Sequence, residues 1–132
     1  MERQNISSGS PYEPAIGFSR AVRLGNNISV AGTAPIAADG STANPGDAYG
    51  QAKHCLEIIK QAVEDAGGQL GDVVRTRMML TDVSIWEEVG RAHGEFFADI
   101  RPASTMVIVK GFVRDDWLVE IEADAVIDGH SK

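Results

Sequence analysis

Residues 44–80 read NPGDAYGQAKHCLEIIKQAVEDAGGQLGDVVRTRMML, and the period of the apolar positions changes partway along. Ala48, Ala52, Cys55, Ile59, Ala62 or Val63, and Ala66 recur at the spacing of one helix face. Asn44 is placed to cap this helix, with Pro45 at its first position and Asp47 three residues after the cap; Gly67-Gly68 stops it. From Asp72 to Leu80 the period falls to two. Val74, Thr76, Met78 and Leu80 then share one side of a strand, and Val73, Arg75, Arg77 and Met79 the other.

Working outward, residues 19–24 and 28–31 read as two strands around a Gly25-Asn26-Asn27 turn. Residues 32–46, rich in Gly, Pro, Ala and Asp, read as a loop, and residues 1–14 as an irregular lead-in. On the other side, Ser84-Ile85-Trp86-Glu87 has the form of a capping box. It would open a second helix with Trp86, Val89, His93 and Phe96/Phe97 on one face, closed by Pro102. Strands are expected at 105–109 and 117–127, joined by a charged turn at Arg114-Asp115-Asp116. The expected order is ββαβαββ: an α+β domain over 15–132, one sheet with two helices on one face.

That architecture leaves the other sheet face bare. Val73, Arg75, Arg77 and Met79 would meet Leu118, Glu120, Glu122, Asp124 and Val126 there. Cross-strand ion pairs in solvent are one reading of this face and a subunit interface is the other. Glu120, flanked by Val119 and Ile121, is the better candidate for acid–base chemistry if half buried. An ion pair with Arg75 or Arg77 is the plainer alternative. His93 lies on an apolar helix face, as a satisfied core or interface histidine or as a general base. Cys55, on the apolar stripe, reads as an inert buried thiol.

Composition narrows the function classes. The chain has 132 residues, a net charge of −7 and a pI near 4.8, which disfavours phosphate-backbone binding and anionic membranes. One cysteine excludes an internal disulfide, and His54, His93 and His130 lack metal-ligand spacing. There is no Gly-rich phosphate loop, nucleophile elbow or apolar run of membrane-spanning length, and residues 1–14 are too polar for a signal peptide. The expectation is a cytoplasmic protein with no cofactor, metal, nucleic-acid or membrane partner.

Ile16-Gly17, Leu24-Gly25-Asn26, Ala31-Gly32, the 48–67 helix, Asp72-Val73-Val74, Phe96-Phe97, Pro102-Ala103 and Val119-Glu120-Ile121-Glu122-Ala123 occur together in this order. The set resembles the reactive-intermediate deaminase (Rid, or YjgF) family, also called endoribonuclease L-PSP, over about 15–127. The resemblance implies a chorismate-mutase-like fold, a homotrimeric barrel, and a small-molecule cleft between subunits. Its deaminating members hydrolyse enamines and imines such as 2-aminoacrylate and 2-iminopropanoate to 2-keto acids. They clamp the substrate carboxylate with an arginine two residues after the proline of a Pro-Ala-Arg-Ser-like segment.

Here that position is Ser104, and a hydroxyl cannot supply the paired, charged donors of a guanidinium. By the same alignment Phe18 stands for a tyrosine, Gly90 for an asparagine and Met106 for a cysteine, while Gly32 and Glu120 keep the family's residues. Ala31 and Gly32 would polarise the ligand through backbone groups, and Glu120 would position or protonate water. A displaced clamp would have to come from Arg20, Arg77 or Arg101. The reading is a divergent Rid protein that hydrolyses or binds a small imine, enamine or related metabolite and is a poor 2-iminobutanoate/2-iminopropanoate deaminase. A non-catalytic sensor or regulatory trimer is the alternative, and a true 2-imino-acid deaminase with a displaced arginine the second. RNA cleavage, implied by the family's other name, fits the acidic composition worst.

Overall fold

The computed structural model describes residues 2–128, so His130 lies outside the described residues. Six strands form one mixed sheet: β1 (Arg3–Ile6), β2 (Ala21–Leu24), β3 (Asn27–Thr33), β4 (Val73–Leu80), β5 (Ala103–Ile108) and β6 (Val119–Val126). Their spatial order is β1-β2-β3-β6-β4-β5. All neighbours are antiparallel except β4 and β5. A parallel pair needs a crossover. Helix α3 (Trp86–Phe97) supplies it, and packs against α2 (Ala48–Asp65) on the sheet's inner face. The α+β single sheet with two main helices is thus as expected.

Fully buried Leu56, Ile59 and Val63 of α2 meet Ile28, Leu80, Val119 and Ile121 of the sheet, with Val89 and Phe97 of α3 closing the far end. The alternation of β6 holds: Val119, Ile121, Ala123 and Ala125 point inward. That of β4 slips at its start. The register shifts between Val73 and Arg75, so Val73 is buried and Val74 is 49% exposed. The bulge reverses the sides expected for these two residues and removes Val73 from any interface on the outer face.

The lead-in also differs. β1 pairs with β2, with Ile6 tucked beneath, and a short helix α1 (Tyr12–Ile16) follows, ended by Gly17 at φ 95°. Four residues of mostly polar strand carry too little hydrophobic period to register in sequence. The helix caps differ as well. Asp47, not Asn44, caps α2, its carboxylate accepting from Gly50 N at 3.0 Å, while Asn44 sits outside the helix at φ 50°. Before α3, Asp82 caps a tight turn by accepting from Ser84 N at 2.8 Å, and Ser84 is no capping-box residue of α3. Trp86 is 52% exposed rather than on the core face.

Candidate functional site

The core of the site is a charged trio: Glu13 on α1, Arg20 just before β2 and Glu120 on β6. Arg20 is 5% exposed and holds its guanidinium against the backbone of β3: Nη1 donates to Gly32 O at 2.8 Å and to Thr33 Oγ1 at 3.0 Å. Its Nε lies 3.6 Å from Glu13 Oε2 and makes no hydrogen bond. The cation also sits over the Phe18 ring, 5.3 Å from its centre. Burial pushes the Arg20 pKa down, against the opposing pull of Glu13 and Glu120.

Glu13 itself is buried on α1. Burial pushes its carboxyl up, but Ser8 (Oγ at 2.6 Å, N at 3.2 Å), Ser7 and Arg20 together hold it below the ordinary value. Glu120 behaves oppositely. Burial raises its pKa and Arg20 only partly offsets this, and it accepts no hydrogen bond from a described residue. Two carboxyls flanking one cation are thereby separated in character: hydrogen bonds and Arg20 favour the charged form of Glu13, and burial favours the neutral form of Glu120. Gly32 explains how Glu120 fits. β3 loses register between Val30 and Thr33, and a Cβ on Gly32 would stand 3.1 Å from Glu120 Oε1. That gap admits the carboxyl.

Phe18, Arg20, Gly32 and Glu120 open into one cavity of about 420 Å³. Its wall includes Ile16, Ile36, Ile58, Val113 and Trp117, together with Ser8–Tyr12 and His54. His54 Nε2 lies 2.8 Å from Ile36 O and ties down the loop that forms one rim. Arg114 ties three segments at the mouth: it donates to Gly40 O at 2.8 Å and Tyr12 Oη at 3.2 Å, and lies over the Tyr12 and Trp117 rings. Trp117 is 3% exposed, and its Nε1–H finds no acceptor among the described residues. A buried unpaired donor beside a cavity is a place for a ligand acceptor.

The remaining expected residues lie elsewhere. Ala31 lines an adjoining, more open cleft that Phe18 also lines. Arg77 pairs with Glu122 at 3.2 Å on the exposed outer face and does not reach Glu120, whose register partner is Met79. Arg101 is exposed at φ 58° between α3 and β5, and Gly90 lies on α3. Ser104 and Met106 belong to β5, the free edge strand. Ser104 bonds Thr76, which faces the helices, whereas Glu120 faces away from them. The two lie on opposite sides of the sheet and two strands apart, so one chain cannot bring both to one small molecule.

Several site residues escaped the sequence reading. Tyr12 and Glu13 sat in a segment read as irregular, and Trp117 was assigned to a strand. Thr76, buried between Ser104 and His93, looked like one more alternating strand position. Cys55 is fully buried, its thiol pushed up by burial and by Glu120. Among the described residues no cluster of three His, Cys, Asp or Glu can hold a metal ion, and no helix is long and apolar enough to cross a membrane.

Known proteins share this fold. A family model described as Endoribonuclease L-PSP matches residues 9–127. An uncharacterized protein of Streptomyces coelicolor is 37% identical over 122 residues, 92% of this chain and 90% of its own. The 3-aminoacrylate deaminase RutC of Acinetobacter baylyi is 32% identical over 120 residues, covering 91% and 94%. Among solved structures, a YjgF-family member from Mycobacterium tuberculosis superposes with a TM-score of 0.85 at 44% identity, covering 96% of this chain and all of the other.

Proposed function

The chain belongs to the Rid/YjgF family, and from that premise we propose that it hydrolyses the C=N bond of a small, mainly uncharged imine or enamine. It turns over 2-iminobutanoate and 2-iminopropanoate poorly. The observation that carries this reading is the placing of Glu120, a carboxyl whose pKa burial raises, on the wall of a largely apolar cavity whose Arg20 already binds the β3 backbone. Arg20 spends Nη1 on the β3 backbone and on Thr33, and its Nε lies 3.6 Å from the Glu13 carboxylate. A substrate carboxylate would meet a guanidinium already shared with the buried Glu13 carboxylate, and adding a second anion to that pair is costly. The name of the Acinetobacter relative points to enamine deamination on this scaffold; a neighbouring copy of the chain would have to bring Ser104 to this cavity, where a hydroxyl in place of a guanidinium turns the preference away from the carboxylate.

The chemistry follows from the carboxyl. Protonated Glu120 donates to the imine nitrogen and makes the carbon electrophilic. Water adds to that carbon while the Glu120 carboxylate takes one of its protons, leaving a neutral carbinolamine. Glu120 then returns the proton to nitrogen. The C–N bond breaks and the hydroxyl gives its proton to the Glu120 carboxylate, which restores the acid, so imine and water become a carbonyl compound and an amine. An enamine enters after protonation at carbon. Burial, which raises the Glu120 pKa, keeps the acid available closer to neutrality. Trp117 Nε1–H offers a donor to an acceptor on the ligand body.

Hydrolysis of N-benzylidenemethylamine to benzaldehyde and methylamine, followed by absorbance above the buffer rate, tests the reading. Wild type is expected to accelerate it and Glu120→Gln to lose at least about a hundredfold of that acceleration, as expected for removal of a general acid. Equal rates for the two proteins would contradict the proposed role of Glu120.

A further inference from the structure

The cavity that holds Glu120 is larger than a short-chain imine needs. At about 420 Å³ it falls in the ~300–1,000 Å³ range of pockets that enclose drug-sized ligands, and 2-iminobutanoate would leave most of it to water. Two groups of side chains line it, each held by its own contacts. Phe18, Arg20, Gly32, Thr33 and Glu120 form the polar group, joined through the Arg20 hydrogen bonds and the close approach of Gly32 to Glu120. Tyr12, Ile36, Ile58, Val113 and Trp117 form an aliphatic and aromatic group. Tyr12 and Trp117 meet edge to face with ring centres 6.0 Å apart, and the Arg114 guanidinium lies over both, 5.6 and 5.2 Å from their centres. The loop that carries Ile36 is closed by the Ile36–Thr42 bridge and tied at three points. His54 Nε2 donates to Ile36 O, Arg114 to Gly40 O, and Thr42 Oγ1 to Asp116 Oδ1 at 3.0 Å. Ile16 and Val113 line the cavity and remain exposed, so they stand where it opens. Apolar side chains gathered at one opening gain by being covered.

We propose that the second group is a subsite for an apolar substituent of about phenyl size on the C=N carbon, with Tyr12, Ile58, Val113 and Trp117 as the specificity-determining residues. The substrate is then an aryl-bearing imine or enamine rather than a short-chain one; the reaction assigned to it rests on the hydrolase reading above. The reacting carbon lies at Glu120 and the substituent covers the Tyr12–Trp117 wall. An aryl ring suits that wall twice over. It removes apolar surface from water, and its edge or face can meet the Tyr12 and Trp117 rings in the arrangements that aromatic pairs favour. A methyl or ethyl group in its place would leave the wall and the exposed Ile16 and Val113 side chains in contact with water. Burying one phenyl group corresponds to about a thirtyfold gain in affinity.

Binding of two stable amides tests the subsite without any turnover. N-methylbenzamide and N-methylacetamide are neutral counterparts of N-methyl imines and differ only in the group on the carbonyl carbon. Trp117 reports binding by its fluorescence in Trp86→Phe, which removes the chain's other, exposed tryptophan. N-methylbenzamide is expected to bind about thirtyfold more tightly than N-methylacetamide. Ile58→Trp, which fills the subsite, and Val113→Asp, which sets a charge beside it, should each cut that preference to about threefold or less. Val113 is exposed, so its variant keeps the test if Ile58→Trp folds poorly. No binding of N-methylbenzamide, an affinity within about threefold of that for N-methylacetamide, or a preference that both variants leave intact would overturn the proposal. If neutral imines are not hydrolysed while the preference and its loss are as expected, the hydrolase reading falls and the subsite stands. Hydrolysis of N-benzylidenemethylamine without the preference gives the reverse.

Discussion

Arg20→Met should cost the fold more than any other single cavity substitution, because the guanidinium is both buried and shared. It removes two donors, to Gly32 O and Thr33 Oγ1, and leaves the Glu13 carboxylate 4% exposed without its cation. Breaking a buried pair from one side costs about 3–5 kcal/mol. Glu13 retains both hydrogen bonds from Ser8, which places the loss near the lower end, about 3 kcal/mol. With an unfolding entropy of about 2.1 cal/mol/K per residue over 132 residues, that corresponds to a fall in Tm of about 11 °C. Thermal unfolding followed by circular dichroism at fixed protein concentration reads it. Glu13→Gln combined with Arg20→Met should recover about half, since the stranded charge is gone. A fall below about 4 °C, near 1 kcal/mol, or a double variant no better than the single, would refute the reasoning.

Four further outcomes follow from the same geometry. Glu120→Gln should gain stability over wild type as pH rises: a raised native carboxyl pKa means the folded state holds its proton longer, so wild type loses stability upward from the ordinary carboxylate range and the glutamine does not; urea unfolding at pH 4 and pH 7 checks it, and an advantage that shrinks with pH contradicts it. Gly32→Ala should fold within about 1 kcal/mol of wild type, since the crowded atom is the end of a flexible side chain, yet lose about tenfold in imine hydrolysis as Glu120 is displaced. Ser104→Arg should raise kcat/KM for 2-iminobutanoate about tenfold or more by putting a guanidinium at the clamp position, with little change in Tm because the site is exposed; no gain would mean that Ser104 does not contact ligand. Cys55 should react with an aromatic disulfide reagent only on unfolding, its thiol being fully buried and its ionisation suppressed.

The sheet was legible in sequence where burial imposed a clear period. The 48–65 helix and the inward row of β6 followed directly from spacing, because each presents one face to the same core. Legibility failed where one residue changes the count. The bulge at Val73–Arg75 leaves no trace in hydropathy, since valine suits either side of a strand. Asn44 and Asp47 are both good caps by type, and only the left-handed backbone at Asn44 decides between them. In the site, Glu120 stood out as an acid between apolar neighbours, whereas Arg20 was one of three arginines with equal claims. Its role depends on Glu13, seven residues earlier on a helix of five residues, too short to leave a periodic signal. The Thr76–Ser104–His93 contact joins two strands and a helix, and spacing within one segment carries no information about it.

The most direct test of the central claim compares two imines in one set of conditions. 2-Iminobutanoate, generated in situ with semicarbazide trapping what remains, is set beside neutral N-benzylidenemethylamine, each with wild type and Glu120→Gln. A Glu120-dependent acceleration of the neutral imine that exceeds any acceleration of 2-iminobutanoate is the predicted result. Faster turnover of 2-iminobutanoate than of the neutral imine would contradict the account and assign Arg20 or a second arginine the role of carboxylate clamp.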